Sequence, residues 1–228
     1  MISRDAFAGK TFVLRIDREI LTQTTTLGED LGFLIERGIR PIVVAPTSDV
    51  ARGYVRALNR HTNIAVGLSG ADAGLLPASG NETIGRVQTG ILATLLSVGY
   101  VPVIEPTALG IGGNDVELAA DDVAAAIGGA TSAARAFFFH EAGGVFDPQT
   151  LDVIAELTPA EALALAERDD LDPQLRAAVR AAARGVRAGV NAAQILDGRI
   201  AHATIVEFLT SRHLGTQVTG AIYTGGVA

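Results

Sequence analysis

Lysine and cysteine are the two residue types whose scarcity most limits the chemistry available to this chain. The 228 residues include no cysteine, which excludes disulfides, thiolate catalysis and cysteine-ligated metals. Lys10 is the only lysine, since every other basic residue is arginine. Any mechanism that requires a lysine must therefore use Lys10.

The histidines do not form a catalytic or metal-binding pattern. His140-Glu141 begins like the zinc-protease motif, but residue 144 is glycine, so the second histidine of that motif is missing. The other three are far apart in the sequence, and we expect them to be structural or solvent-facing; they are His61, His202 and His213. The sequence predicts no metal site.

Two glycine-containing segments have only a superficial likeness to catalytic loops. Residues 67–71 (GLSGA) differ from the Gly-x-Ser-x-Gly nucleophile motif at the last position, which is Ala71. Residues 110–115 (GIGGND) do not lead from a strand into a helix with the spacing of a phosphate-binding loop. We therefore expect 110–115 to be an ordinary loop.

A row of arginines is the unusual surface feature of this acidic chain. Arg176, Arg180, Arg184 and Arg187 recur at three- and four-residue spacing, which places them on one face of a predicted helix. We expect this face to be solvated. It is also a candidate docking surface for an anion or an acidic partner.

Strand and helix patterns alternate along the whole chain. Short apolar, β-branched runs predict strands at 10–16, 40–46, 63–69, 100–106, 134–141, 192–197 and 215–220. Helical patterns occur at 27–38, 50–60, 90–98, 117–130, 158–170, 173–188 and 203–211, and residues 146–157 fit a small hairpin. Thr158, Pro159 and Glu161 form a capping-box pattern at one helix start.

This alternation predicts an α/β fold in which an open, mainly parallel central sheet lies between two helical layers, a three-layer αβα sandwich. We expect the strand at 134–141 to be among the most buried. The chain is predicted to be a single domain of residues 1–228. Its glycine-rich stretch at 107–115 is the plausible boundary between an N-lobe of about 1–110 and a C-lobe of about 111–228.

Composition excludes several classes of partner. The formal charge of −7 argues against broad nucleic-acid binding, and no apolar stretch has the length of a membrane span. The N-terminal segment lacks the apolar core of a signal peptide, so we expect a cytoplasmic protein. Hydrophobic residues make up 48% of the chain and the mean hydropathy is +0.33, which favours a homo-oligomer.

Eight segments, in order, resemble the acetylglutamate kinases of the amino acid kinase family. They are GKTFVLRI (9–16), AVGLSGADAGLL (65–76), GYVPVIEP (99–106), AADDVAAAIGGA (119–130), FFFHEAGGVFD (137–147), ELTPAEA (156–162), ILDGRIAHATIVEFLT (195–210) and LGTQV (214–218). The resemblance implies the amino acid kinase fold. In an active member it also implies transfer of phosphate from ATP with Mg²⁺ to a carboxylate.

The phosphate-binding positions that the resemblance implies are altered in this chain. Where the family has a lysine and two glycines after the first strand, the sequence reads Arg15-Ile16-Asp17-Arg18-Glu19. These side chains prevent the close backbone approach that glycine permits, and Asp17 adds negative charge. The glycine run after the second strand reads Ala45-Pro46-Thr47-Ser48-Asp49, in which Pro46 has no N–H to offer.

The positions for substrate and for the second lysine are altered as well. Too little chain lies between Val44 and Ala65 for the family's substrate lid. The substrate asparagine aligns with Ala119 or Glu117. The second lysine aligns with Ala178, and Arg176 or Arg180 only approximates its position. Thr47, Ser48, Arg176 and Arg180 are therefore the candidate ligand-binding residues.

Asp121 is retained, and in the family this residue orders the two lysines. The same carboxylate also suits a helix N-terminus, where the helix dipole favours negative charge. We predict that Arg15 and Asp121 form an ion pair as remnants of the catalytic site. Four glycines are retained too, and we expect them to serve backbone geometry; they are Gly67, Gly70, Gly144 and Gly198.

Three functions follow from this pattern of losses. The first is a pseudokinase that has lost phosphoryl transfer, requires no cofactor, and acts as a ligand-binding, regulatory or assembly subunit. The second is an active kinase that uses ATP and Mg²⁺ to phosphorylate an acylated amino acid or another small acid. The third is a structural subunit that pairs with an active kinase or another protein.

Overall fold

The fold is an α/β sandwich built on one large sheet, in a computed structural model that describes residues 7–17, 24–60, 63–78, 83–209 and 214–220. The strands are β1 (Thr11–Arg15), β2 (Arg40–Val44), β3 (Ala65–Leu68), β4 (Val101–Ile104), β5 (Thr107–Leu109), β6 (Asp115–Glu117), β7 (Arg135–Phe139), β8 (Glu156–Leu157), β9 (Ala192–Leu196) and β10 (Thr216–Thr219). The α-helices are α1 (Thr24–Glu36), α2 (Ser48–Asn59), α3 (Gly90–Ser97), α4 (Ala120–Ala130), α5 (Pro159–Leu165), α6 (Pro173–Arg187) and α7 (Ala203–Leu209).

The central sheet has eight strands in the order β3-β4-β2-β1-β7-β9-β10-β8. All neighbouring pairs are parallel except β9 and β10, which are antiparallel. β1 lies in the middle, where Val13 is in register with Ile42 of β2 on one side and Ala136 of β7 on the other. The predicted mainly parallel sheet is confirmed.

Two hydrophobic cores, one on each face of the sheet, give the three layers. Alternate side chains of β1 enter opposite cores, with Val13 on one face and Phe12 and Leu14 on the other. The Val13 core takes in the apolar sides of α3, α4, α5 and α6, and the Phe12 core those of α1, α2 and α7. Strands that are buried on both faces read as continuous apolar runs, which explains their clear signal in the sequence.

The strand predicted at 134–141 is among the most buried. β7 lies between β1 and β9, and its residues 136–139 are at most 4% exposed. The capping box is also confirmed, since the Thr158 hydroxyl accepts from the Glu161 N–H at 3.2 Å and Glu161 Oε2 accepts from the Thr158 N–H at 2.8 Å.

Helices α5 and α4 have bounds that differ from their prediction. α5, predicted to reach residue 170, ends at Leu165. The other is α4, which follows a hairpin. Residues 110–114 form the predicted loop, which is the tip of an antiparallel hairpin between β5 and β6, and only Asp115 of the predicted loop lies in a strand. This pairing holds Glu117 in a strand, so α4 begins at Ala120 and not at 117. The hairpin lies at the lobe boundary predicted near residue 110, and the division into lobes stays a prediction.

A helix must be both long and apolar to cross a membrane. None of the helices within the described residues is both long enough and apolar enough to cross a membrane.

Candidate functional site

The carboxyl ends of the parallel strands meet along one edge of the sheet, and two cavities open there. In open α/β sheets, ligands bind in the crevice at this edge, where the strand order reverses direction. In this chain the reversal falls between β1 and β7, because the chain proceeds from β1 to β2 on one side and β7 follows on the other.

The first cavity, the β7–β9 cavity, has a volume of about 270 Å³. It is lined by the segments that follow β1, β7 and β9 and by the first turn of α6. The lining residues are Asp17, Phe139, His140, Glu141, Gln174, Asp197, Gly198 and Arg199.

The charges in the β7–β9 cavity are mainly negative, because its arginine is already paired. Arg199 donates to both carboxylate oxygens of Asp197, at 2.9 and 2.8 Å, and to the Glu141 carbonyl at 2.7 Å. The hydrogen bond from Arg199 holds the pKa of Asp197 below its usual value. The carboxylates of Asp17 and Glu141 add further negative charge to the wall.

His140 is buried at the floor of this cavity with its ring fixed on both sides. Its Nδ1 accepts from the Ala142 N–H at 3.1 Å, which leaves the proton on Nε2. Nε2 lies 3.5 Å from the carboxylate of Asp172, the N-cap of α6. His140 therefore links the end of β7 to the start of α6.

The second cavity, the β3–β4 cavity, has a volume of about 590 Å³. It lies between the start of α2, the ends of β3 and β4, and the β5–β6 hairpin. It is lined by Ser48, Arg52, Val55, Arg56, Gly67, Ser69, Asp72, Glu105, Thr107 and Asp115.

Glycine shapes one wall of the β3–β4 cavity. A Cβ on Gly70 would lie 1.7 Å from the Thr107 carbonyl oxygen, so only glycine lets these two backbones pack together. The close approach lets the hydroxyls of Ser69 and Thr107 share a hydrogen bond at 2.9 Å. On the opposite wall, Arg52 lies 3.5 Å from Glu105 and is 62% exposed, which leaves its guanidinium accessible.

Arg15 and Asp121 form the predicted ion pair at the carboxyl end of the central strand β1. Arg15 Nε lies 2.7 Å from Asp121 Oδ1, and the two side chains are only 16% and 13% exposed. The Nε–H has no acceptor in line with it, so this is a charge–charge contact and not an aligned hydrogen bond. Asp17 lies 3.8 Å from the same arginine.

Burial dominates the electrostatics of this pair. Burial raises the pKa of Asp121 above its ordinary value, and the neighbouring Arg15 guanidinium offsets only part of that effect. The carboxylates of Asp122 and Asp17 raise the pKa further. Arg15, at the end of β1, therefore already has the carboxylates of Asp121 and Asp17 beside it.

The two loops predicted to replace the glycine runs are only partly described. Arg18 and Glu19, in the first loop, lie outside the described residues. In the second loop, Thr47 caps α2 by accepting from the Val50 N–H at 3.3 Å, while Ser48 lines the β3–β4 cavity. Of these two candidate ligand-binding residues, Thr47 is the more exposed, but Ser48 is the one that lines this cavity.

Arg176 and Arg180 line neither cavity. Arg176 donates to the Arg168 carbonyl at 3.3 Å, and Arg180 donates to the Ala166 carbonyl at 3.1 Å and to Glu167. Both therefore fasten α6 to the end of α5. Ala178, at the position of the family's second lysine, is only 4% exposed and packs in the core.

Sequence reasoning did not single out several cavity residues. Arg52 and Arg56 read as the solvated face of an amphipathic helix, and no pattern along the chain shows that α2 presents them to a cavity. Gln174 lines the β7–β9 cavity from α6, whereas the candidates named on that helix were Arg176 and Arg180. His61 and His213 lie outside the described residues.

Comparisons with known proteins identify the family. The sequence profile of the amino acid kinase family matches residues 49–190, more than half of the chain. An acetylglutamate kinase of Sphingopyxis alaskensis is 30% identical over 275 residues, which cover 93% of this chain and 90% of that protein. The chain therefore belongs to the amino acid kinase family, and within it the chain is similar to the acetylglutamate kinases.

Other relatives match over a smaller share of their length. An acetylglutamate kinase of Prochlorococcus marinus is 33% identical over 186 residues, covering 76% of this chain and 60% of that relative. This chain thus spans about three fifths of that relative's length. Among solved structures, N-acetylglutamate synthase of Neisseria gonorrhoeae, complexed with coenzyme A and N-acetyl-glutamate, matches with a TM-score of 0.81 and 20% identity, over 96% of this chain and 62% of that one. That likeness concerns the fold.

Proposed function

We propose that this chain is an acetylglutamate kinase-like protein that has lost phosphoryl transfer and binds a small ligand as a regulatory or assembly subunit. The observation that supports this most directly is the Arg15–Asp121 pair. A phosphoryl-transfer site needs free cations and backbone N–H groups directed at the phosphates. Among the described residues at the end of β1, the cation is Arg15, and it is held 2.7 Å from a buried carboxylate.

No other cation replaces the missing lysines within the described part of the β7–β9 cavity. Lys10 precedes β1 at its amino end, roughly 17 Å from Arg15 by the rise of about 3.3 Å per strand residue. Arg199 is paired with Asp197, and Arg180 is bonded to the end of α5. A triphosphate entering this cavity would therefore meet carboxylates.

Magnesium held by the protein does not replace the cations that a triphosphate would need in the β7–β9 cavity. ATP with Mg²⁺ is what the kinase relatives imply, and bound Mg²⁺ would neutralise some of these carboxylates. Within the described residues, however, no three His, Asp or Glu side chains are grouped so that they could hold a metal ion. The metal would have to arrive with the nucleotide.

The β3–β4 cavity is the better candidate for the retained ligand. Three carboxylates also line it, those of Asp72, Glu105 and Asp115, but it has two arginines, and Arg52 is 62% exposed beside Glu105. The hydroxyls of Ser48, Ser69 and Thr107 offer hydrogen bonds. Arginine with nearby hydroxyls suits a small carboxylate. The relation to acetylglutamate kinases points to an acylated acidic amino acid as the first compound to test.

The experiment measures catalysis and binding separately. ATP consumption is followed with acetylglutamate and a panel of acidic amino acids, and calorimetry with the same acids measures binding. We expect no turnover, because one lost donor alone costs about 10²–10³ in rate. We also expect acetylglutamate to bind, and its affinity to fall at least tenfold in an Arg52→Ala, Arg56→Ala double variant.

An active kinase is the alternative, favoured by the retained Asp121 and by the relation to the Sphingopyxis enzyme over 90% of that enzyme's length. Turnover of about one per second, typical of slow enzymes, that disappears in an Asp121→Asn control would establish it and overturn our proposal. Absence of both turnover and ligand binding would favour a purely structural subunit.

A further inference from the structure

A buried carboxylate of α1 lies against a histidine of the segment that connects β9 to α7. Asp30 is 3% exposed, and its Oδ1 lies 2.6 Å from Nδ1 of His202. The carboxylate of Glu29 lies 3.7 Å from His202 Nε2 on the other side of the ring and is 62% exposed. Burying a carboxylate is costly unless it is paired, so Asp30 depends on this contact.

The backbone of His202 is held in an unusual conformation. Its φ of 57° lies in the left-handed region, which few residues other than glycine adopt. His202 directly precedes α7, and its carbonyl accepts from the Val206 N–H at 2.9 Å. The side-chain contact with Asp30 therefore fixes the residue from which α7 starts.

A third titratable group faces the pair from α2. Tyr54 is fully buried, and its hydroxyl has no hydrogen-bond partner. Burial, and next the nearby Asp30 carboxylate, raise the pKa of Tyr54 well above its ordinary value, so this hydroxyl stays protonated. The pH dependence of this contact is thus assigned to Asp30 and His202.

The same connecting segment forms a wall of the β7–β9 cavity. Asp197, Gly198 and Arg199 line that cavity, and they lie three to five residues before His202. Gly198 and Phe139 also border a small space of about 20 Å³ beside Asp30 and His202. Movement of His202 away from α1 would therefore shift this wall.

We propose that Asp30 and His202 form a proton-dependent latch that holds residues 197–203 against α1 and so sets the position of one wall of the β7–β9 cavity. Protonated His202 supplies the counter-charge for the buried carboxylate. When His202 loses its proton, Asp30 remains charged without a cation beside it, and the segment loosens. The latch does not depend on the proposed function. Any effect of the latch on ligand binding does rest on the proposed function.

The direction of the pH dependence follows from the two pKa values. The hydrogen bond to Asp30 raises the pKa of His202 above its ordinary value of 6.5. A raised histidine pKa means that the stabilisation is fully present below pH 6.5 and is lost as pH rises through the folded-state pKa. Burial raises the pKa of Asp30 above 3.8, so at acid pH this carboxylate protonates early and the ion pair is lost there as well.

Hydrogen exchange of the α7 backbone amides, with rates corrected for the intrinsic effect of pH, tests the latch in the full chain without ligand. In the wild type we expect protection to fall several-fold as pH rises from 6.5 to 8.5, because the proton that His202 holds more tightly in the folded state is then lost. His202→Asn suits the left-handed backbone but cannot be protonated, so its protection should be lower and independent of pH.

Two further variants and one spectroscopic measurement complete the test. Glu29→Gln should retain the pH dependence, because that carboxylate is exposed and farther from His202, whereas Asp30→Asn should abolish it. An NMR titration of the His202 ring should give a pKa above 6.5 in the wild type and a lower one in Asp30→Asn. Protection that does not change with pH in the wild type, or a pH dependence that persists in His202→Asn, would overturn the proposal.

Discussion

The buried ion pair of Arg15 and Asp121 stabilises the fold only while both residues are present. Replacing Arg15 with Met removes the cation and leaves the carboxylate of Asp121 buried, which we expect to lower the free energy of unfolding by about 3 kcal/mol. The pKa of Asp121, already raised by burial, should rise further. Because a raised carboxyl pKa makes ionisation unfavourable in the folded state, stability should fall as pH rises above 3.8, and more steeply in the variant.

The control is the double variant Arg15→Met, Asp121→Leu, which replaces the whole pair with apolar groups. It should recover most of the lost stability, since a buried ion pair is often no better than a hydrophobic pair. Urea denaturation at pH 4 and pH 7 measures both effects. A single variant that costs less than about 0.5 kcal/mol would show that the pair is solvated like a surface contact.

Gly70 and Gly67 belong to the same GLSG segment, but the structure predicts opposite tolerance for them. Gly70→Ala would place a Cβ 1.7 Å from the Thr107 carbonyl oxygen, and we expect a loss of about 3 kcal/mol or more. Gly67→Ala meets only the Val55 side chain, at 3.4 Å, and should be nearly neutral. Thermal unfolding of the two variants compares them directly, and equal midpoints would contradict the backbone packing described here.

At the scale of elements, the four arginines of α6 form two pairs that differ in exposure. Arg176 and Arg180 are half-buried and donate to carbonyls at the end of α5, so replacing both with Ala should cost about 1 kcal/mol for each lost hydrogen bond. Arg184 and Arg187 are exposed, and Ala at both should change stability by less than about 0.5 kcal/mol.

The same two variants test the predicted anion-docking face. If α6 binds an acidic partner or an anion, the exposed pair should be responsible, so Arg184→Glu with Arg187→Glu should weaken that binding without unfolding the protein. Chemical denaturation and binding measured on the same samples separate the two effects. Loss of stability in the Arg184, Arg187 variant would show that this half of the face is packed.

The elements that were predictable share a strong local signal. β7 reads as a continuous apolar run, and the Thr158–Glu161 capping box needs only the spacing of two side chains. The β5–β6 hairpin has strands of three residues with glycine between them, and its pairing depends on contacts across the turn rather than on a periodic pattern. The predicted start of α4 at residue 117 was wrong for the same reason, because Glu117 belongs to this hairpin.

The site was less predictable than the fold, because its geometry depends on which elements meet at the sheet edge. The Arg15–Asp121 contact was predicted from family resemblance, although these residues are over a hundred positions apart in the sequence. Arg52 and Gln174 lie in cavities only because α2 and α6 begin at the carboxyl edge. Helical periodicity gives the face on which such a residue lies, but not the cavity that the face meets.

At the scale of the whole molecule, we expect a homodimer or a larger homo-oligomer. The mean hydropathy is +0.33, and large apolar side chains remain exposed at Ile111 (86%), Leu151 (74%) and Val98 (66%). Such surface is typical of interfaces between subunits. Light scattering coupled to size-exclusion chromatography at micromolar concentration should report at least two copies. A monomer under these conditions would contradict the prediction.

Lys10 lies at the amino end of β1, exposed, while both cavities open at the carboxyl ends of the strands. Amine-reactive reagents therefore have one side-chain target in the whole sequence, on the far edge of the sheet from either cavity. Coupling through that amine would immobilise the protein on a sensor surface with its cavities directed outward. A fluorophore placed there would report on tumbling and assembly without entering a binding site.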